Sequence, residues 1–174
     1  MTVLSDTSLH QRVAAGLLSS PLPTAVGPAS IDLHLGSDIL IESAGSSPFV
    51  PYPFARHTAD DPFLLRPGQF ILADTAELID LHTDLAGQVQ LKSSLARLGL
   101  NHLMAGWIDP GFTGTITLEL HNASQIRPIP LYPAMPIAQL ILQLLDATPA
   151  RSYAITGRYN NQHGPTQSLG IAAA

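Results

Sequence analysis

Cysteine is absent from the chain. That one absence removes disulfides, thiolate nucleophiles and cysteine-ligated zinc together, including the HxE…PCxxC centre of zinc nucleobase deaminases. Positive charge is also scarce. Lysine and arginine total 8 against 13 acidic residues, the formal net charge is −5, and Lys92 is the only lysine. A long nucleic acid needs a basic face, so no such partner is expected, whereas a single nucleotide needs only a few local cations. Any polyanion site must therefore be built from few, nameable residues. The first residues, MTVLSDTSLHQRVAAGLL, show no charged segment followed by an apolar one, and no apolar run reaches transmembrane length. A cytoplasmic protein with no membrane partner is expected.

Several chemical signatures are missing as well. The 7 histidines are scattered, with no HxH or HExxH pair, so no protein-held zinc is expected. Neither the phosphate-cradling GxxxxGK(S/T) loop nor the GxSxG nucleophile turn occurs.

What is present is short apolar strands with frequent punctuation. The 174 residues make most simply one domain, 1–174, and 15 prolines and 13 glycines spread along it favour an all-β barrel or jelly-roll-like fold with little helix. A short N-terminal helix is expected from Ser5 or Asp6 to about Leu17, with Leu9, Val13 and Leu17 on one face. In SIDLHLG, Ile31, Leu33 and Leu35 alternate with Asp32 and His34. Residues 44–62 read as a loop, and Pro67-Gly68 as a turn between two apolar strands. SSLARLGL reads as one helical turn opening at a serine cap.

Three stretches could carry chemistry. Lys92, Ser93, Ser94 and Arg97 gather two cations and two hydroxyls in six residues, which suits phosphate oxygens or, equally, a serine-capped surface turn. Asp109-Pro110-Gly111 turns into GTITLELHN, where Thr115, Thr117, Glu119 and His121 share one face and Ile116, Leu118 and Leu120 the other. Periodicity does not distinguish a solvated Glu119 from a carboxylate at a pocket mouth. The end of the chain is polar and reads either as a frayed tail or, through Tyr153, Arg158, Tyr159 and Gln162, as a segment suited to stacking, phosphate contact and amide recognition.

SIDLHLG, FLLRPGQFILADTAELIDL, LKSSLARLGL, AGWIDPGFTGTITLELHN, MPIAQLIL and RYNNQHGPTQS occur in the order found in dCTP deaminases, and the chain resembles that family over most of its length after residue 30. The resemblance implies a distorted antiparallel β-barrel of the dUTPase type and a homotrimer with active sites between subunits. It implies Glu119 as general acid/base, with Ser93 and Arg97 placing the attacking water. Lys92, Ser93 and Ser94 would bind the triphosphate, and Asp109 the deoxyribose 3′-hydroxyl. Tyr153, Arg158 and Gln162 would belong to a tail, 153–174, that closes over the nucleotide, with Mg2+ held by the phosphates and no zinc. AGWIDPGF and Gln139 resemble the bifunctional members, which deaminate dCTP and go on to dUMP and pyrophosphate. A deaminase that stops at dUTP, a plain dUTPase and a catalytically silent nucleotide-binding paralogue are the alternatives. Leu91 stands where glycine is common, Arg158 where lysine is, and His34 where arginine is.

Overall fold

Alternation decides where the strands of this chain lie, and two bulges decide how they bend. The computed structural model describes residues 2–20, 22–103 and 105–170. In chain order the elements are β1 (Thr2–Val3), α1 (Asp6–Ala14), β2 (Leu18–Ser19), β3 (Ile31–Glu42), β4 (Phe49–Tyr52), a 3-10 turn (Phe54–Arg56), β5 (Phe63–Leu65) and β6 (Phe70–Asp80). There follow β7 (Leu85–Leu91), α2 (Ser93–Ala96), β8 (Leu100–Asn101), β9 (Trp107–Ile108), β10 (Thr113–Asn122), β11 (Ile129–Leu131), β12 (Pro136–Leu144) and α3 (Tyr153–Thr156). The main sheet runs β8-β10-β6-β3-β12-β7-β9, every pairing antiparallel, with β1 added to β12, β2 to β6 and β4 to β3. A separate ribbon joins β5 to β11.

β3 links the two halves of the sheet. Its first residues pair with β12 and its later ones with β4 and β6. Ile31, Leu33 and Leu35 are fully buried while Asp32 and His34 face the other way, as the alternation predicts. His34 meets Glu77, whose carboxylate takes the His34 backbone N–H at 3.0 Å and lies 2.7 Å from its Nδ1.

Three expectations are corrected. The first helix stops at Ala14, because Gly16 turns the chain with φ +93°, and Leu17 enters the core beyond it. Residues 44–62 are not all loop, since β4 and the 3-10 turn lie within them. They are held by an aromatic cluster in which Phe63 packs edge-on to Tyr52 and Phe54. The cap of α2 is Lys92, not a serine. The Pro67-Gly68 turn is present, but the strands it joins pair with different partners.

A bulge interrupts each edge of β6, one carried by β3 and one by β6 itself. Gly36, Ser37 and Asp38 of β3 stand against the single Asp74, and Thr75, Ala76 and Glu77 of β6 stand against the single Ile116 of β10. Thr75 secures the second bulge: its hydroxyl accepts from Ile116 N–H at 3.0 Å and donates to the Glu77 carbonyl at 2.9 Å. Asp74 occupies the first. It is 6% exposed, its Oδ1 has no hydrogen-bond partner, and its carboxyl lies where a Cβ on Gly36 would stand. Burial, and then the charge of Asp38, push its pKa up to about 6 against the opposing backbone N–H groups of Asp38 and Asp74.

A carboxyl with a raised folded pKa favours the folded state while protonated and loses that advantage as pH rises. Here nothing is lost below about pH 4, and the cost is complete above about pH 6 to 7, on the order of 2–3 kcal/mol. Asp74→Asn is expected to be more stable than the parent at pH 8, with the difference vanishing near pH 4. Urea unfolding across that range measures it; a variant less stable at pH 8 would show that the carboxylate is partnered.

Candidate active site

The polar face of β10 is the floor of the site. Thr113, Thr115, Thr117, Glu119 and His121 are all partly buried, while Gly114, Ile116, Leu118, Leu120 and Asn122 are buried on the opposite face. What covers the polar face is the end of the chain, running parallel to it. Asn161 N–H donates to the Thr113 carbonyl (2.7 Å), Thr115 N–H to the Gln162 carbonyl (3.0 Å), Gly164 N–H to Thr115 Oγ1 (3.0 Å) and Thr166 N–H to Thr117 Oγ1 (3.0 Å). The Gln162 side-chain amide donates to the Thr115 carbonyl at 2.8 Å. A strand whose outer groups are satisfied this way is not a solvated edge, and residues 159–170 are not a frayed tail; the last four residues of the expected 153–174 segment lie outside the described ones.

The tail is anchored at its start on the Asp109-Pro110-Gly111 turn. Tyr153 N–H donates to the Pro110 carbonyl at 2.9 Å, and its ring lies 6.2 Å from that of Phe112. Gly111, with φ +87°, lets Ser152 approach where a side chain would collide.

Tail and floor enclose a cleft of about 460 Å³. Glu119, Thr117 and Asp109 line it, with Tyr153, Tyr159 and Gln162 from the tail. Phe49, Phe70 and Leu72 form an apolar wall, and Trp107, Ile108 and Phe112 another. Glu119 stands directly across from Leu72, so its carboxyl is desolvated, and that burial raises its pKa above the ordinary glutamate value against its own backbone N–H. Asp109 accepts the Trp107 indole N–H at 3.0 Å.

Of the residues singled out in the sequence, the cleft gathers Glu119, Asp109, Thr117, Tyr153 and Gln162. Lys92, Ser93, Ser94, Arg97, Gln139 and Arg158 do not line it. Lys92 Nζ pairs with Asp32, 2.7 and 2.8 Å from its two oxygens, while Ser93, Ser94 and Arg97 are exposed on α2. Gln139 lies 3.5 Å from the Ser30 hydroxyl. Arg158 donates to the carbonyls of Leu169 (2.7 Å) and Gly170 (2.9 Å), bracing the tail. The lining residues include two carboxylates and no lysine, arginine or histidine. Sequence reasoning missed the walls. Phe49 lay in a stretch read as loop, and Trp107 was visible as the sole tryptophan beside the Asp109 turn.

The bulged antiparallel sheet is that of a dUTPase-like barrel, and comparison with known proteins agrees. A solved dCTP deaminase from Agrobacterium tumefaciens superposes with a TM-score of 0.67 at 22% identity, over 82% of this chain and 48% of that longer one. A solved EIAV dUTPase superposes with a TM-score of 0.53 at 20% identity, over 77% of this chain and 92% of that one. At such identities the likeness concerns the fold. The sequence is more specific: the dCTP deaminase-like family profile matches residues 3–145. Among relatives in sequence are proteins named "dCTP deaminase, dUMP-forming" from Acidothermus cellulolyticus, 41% identical over 95% of this chain and 94% of that one, and from Thermobifida fusca, 40% identical over 95% and 91%. The chain belongs to the dCTP deaminase-like family.

Gly114 is where the tail is most constrained. It has φ +137°, and a Cβ there would stand 2.6 Å from the Gln162 carbonyl oxygen. Gly114→Ala is expected to detach the tail while leaving the barrel folded. Limited proteolysis should then cut within 157–168 at least tenfold faster, with the far-ultraviolet circular dichroism kept; unchanged cleavage would show that the seam does not depend on this glycine.

Proposed function

We infer that the chain is a dCTP deaminase which replaces the cytosine amine with oxygen without zinc, and which carries the product on to dUMP. The observation that supports this most directly is Glu119: a carboxyl with a raised pKa, on the floor of a cleft with aromatic and apolar walls. Water adds to C4 of cytosine, and the amine leaves as ammonia. A single carboxylate serves both halves if its pKa lies near the working pH, taking the water proton and returning protons to N3 and to the amine. Desolvation of Glu119 moves it in that direction. No cysteine is available for the usual zinc centre, so orientation and hydrogen bonds must activate the water.

The rest of the site follows from charge. A cleft lined by Asp109 and Glu119 and by no cation does not hold a triphosphate by itself. In this reading the chain is a homotrimer, and Lys92, Ser93, Ser94 and Arg97 of a neighbouring copy complete the cleft, with Gln139 contacting the nucleotide. Ser93 and Arg97 place the water, and the magnesium arrives as part of the substrate, on its phosphates. Asp109 takes the deoxyribose 3′-hydroxyl and serves the second step, in which pyrophosphate leaves. Tyr153 and Gln162 close over the nucleotide, and Arg158 stabilises that closure. The dUMP-forming activity named for the 41% identical relative favours the two-step form.

Incubation with dCTP and magnesium tests the reading. Ammonia with dUMP and pyrophosphate is expected. Ammonia with dUTP would reduce the activity to the first step, turnover of dUTP alone would make the chain a dUTPase, and no turnover would end the proposal. Glu119→Gln keeps shape but removes the proton acceptor, so ammonia release should drop by roughly 10²–10⁴-fold, with nucleotide binding by calorimetry retained. Pyrophosphate release from dUTP should suffer less. Ammonia release near the parent rate would remove Glu119 from its role.

A further inference from the structure

Trp107 is the only tryptophan of the chain, is 52% exposed, and stands on the wall of the cleft. Its placement follows from the pairing of β9 with β7, Trp107 opposite Gln88 and Ile108 opposite Gly87. Ile108 goes inward against Gly87, where a Cβ would stand 3.2 Å from its own. Trp107 and Asp109, two residues apart, therefore return to the same side, and the indole Nε1–H donates to Asp109 Oδ1 at 3.0 Å. An indole N–H only donates, so the contact holds Oδ1 as an acceptor. Among the described residues no other side chain bonds to Asp109. A half-exposed carboxylate on a turn would otherwise sample several rotamers, and a substrate hydroxyl would have to select one.

We propose that Trp107 is a positioning residue that acts through Asp109: the indole fixes one carboxylate oxygen so that the other is aimed at the sugar 3′-hydroxyl of the bound nucleotide. The inference rests on the function proposed above, which assigns that hydroxyl to Asp109. It gives the tryptophan a part in selecting the sugar rather than the base. The consequence is a chemical discrimination. Loss of the indole donor penalises nucleotides that carry a 3′-hydroxyl and spares those that lack it, because without the hydroxyl the orientation of Asp109 has nothing to act on.

Trp107→Phe keeps an aromatic ring at this exposed position and removes the donor together with the smaller ring of the indole. With dCTP, kcat/KM should fall by about tenfold, the usual worth of a hydrogen bond to a charged group. With 2′,3′-dideoxy-CTP it should change less than twofold. In the variant that also carries Asp109→Ala, which removes the acceptor, Trp107→Phe should add nothing further, since both act on one contact. If the parent protein turns over only dUTP, the same pair of measurements is made with dUTP and its dideoxy analogue. Equal losses on both substrates, or independent multiplication with Asp109→Ala, would overturn the inference and reduce Trp107 to a packing role. A parent protein that turns over neither nucleotide defeats the proposed function instead. A second readout does not need turnover. The emission of the lone tryptophan should shift on titration with the non-hydrolysable imido analogue of dUTP, at the affinity found by calorimetry. Calorimetric binding with no change in emission would also overturn the inference, because it would put the occupied site away from the indole.

Discussion

The site depends on one seam, the parallel pairing of residues 161–166 with the polar face of β10. Without it Thr115 and Thr117 would face water, and the cleft around Glu119 would lose the lining that Tyr159, Gln162 and Thr166 supply. With it, Asn161 N–H, Gln162 C=O, Gly164 N–H and Thr166 N–H all find partners on the strand, so much of the backbone that closes the cleft is paired. The seam needs a residue without a side chain at Gly114 and an anchor at the Pro110 carbonyl, and both lie within the segment that carries Asp109. Floor, lid and carboxylates are thus specified by one stretch of about fifteen residues and the tail that folds back on it.

Charge makes a second constraint. Two carboxylates facing a half-apolar cleft are unfavourable to any phosphate, and the described lining has no cation to offset them. The scarce cations are spent elsewhere: Arg12 on Asp84, Lys92 on Asp32, Arg158 on the tail's own carbonyls. Arg97 with Ser93 and Ser94 stands exposed on α2. In the proposed function, copies of the chain bring the acids of the cleft and the exposed cation of Arg97 together. That is why the homotrimer belongs to the functional proposal and is not an ornament of the fold.

The sequence made the floor legible and left the walls hidden, for identifiable physical reasons. Alternation in GTITLELHN assigned the faces of β10 correctly because a strand has a period of two whatever covers it. The same alternation could not say that this face is covered, since Thr115 and Thr117 find their partners in residues more than forty positions further on. Family resemblance supplied the roles of Glu119 and Asp109 but not their environment. Phe49 was lost in a stretch rich in proline and serine, which the aromatic contacts of Tyr52, Phe54 and Phe63 order. The resemblance assigned Lys92 to the triphosphate, but no local pattern could show that Asp32, sixty residues away, stands beside it within the chain.

Two carboxyls in this structure bind their protons unusually tightly, and only one of them belongs to the cleft. Asp74 is the more deeply buried, yet it faces Gly36 at a bulge and has no lining role in the cleft. Glu119 is less buried but opens onto a space a nucleotide base could occupy. A raised pKa therefore marks desolvation, and chemistry requires access in addition. The two are connected all the same. Asp74 pairs with Thr117 and Leu72 with Glu119 across the same two strands, and the bulges on either side of Asp74 set the twist with which β6 presents that pair. The destabilising burial of one acid and the useful burial of the other thus come from a single piece of strand geometry, so a change that relieves the first by straightening β6 would alter the second.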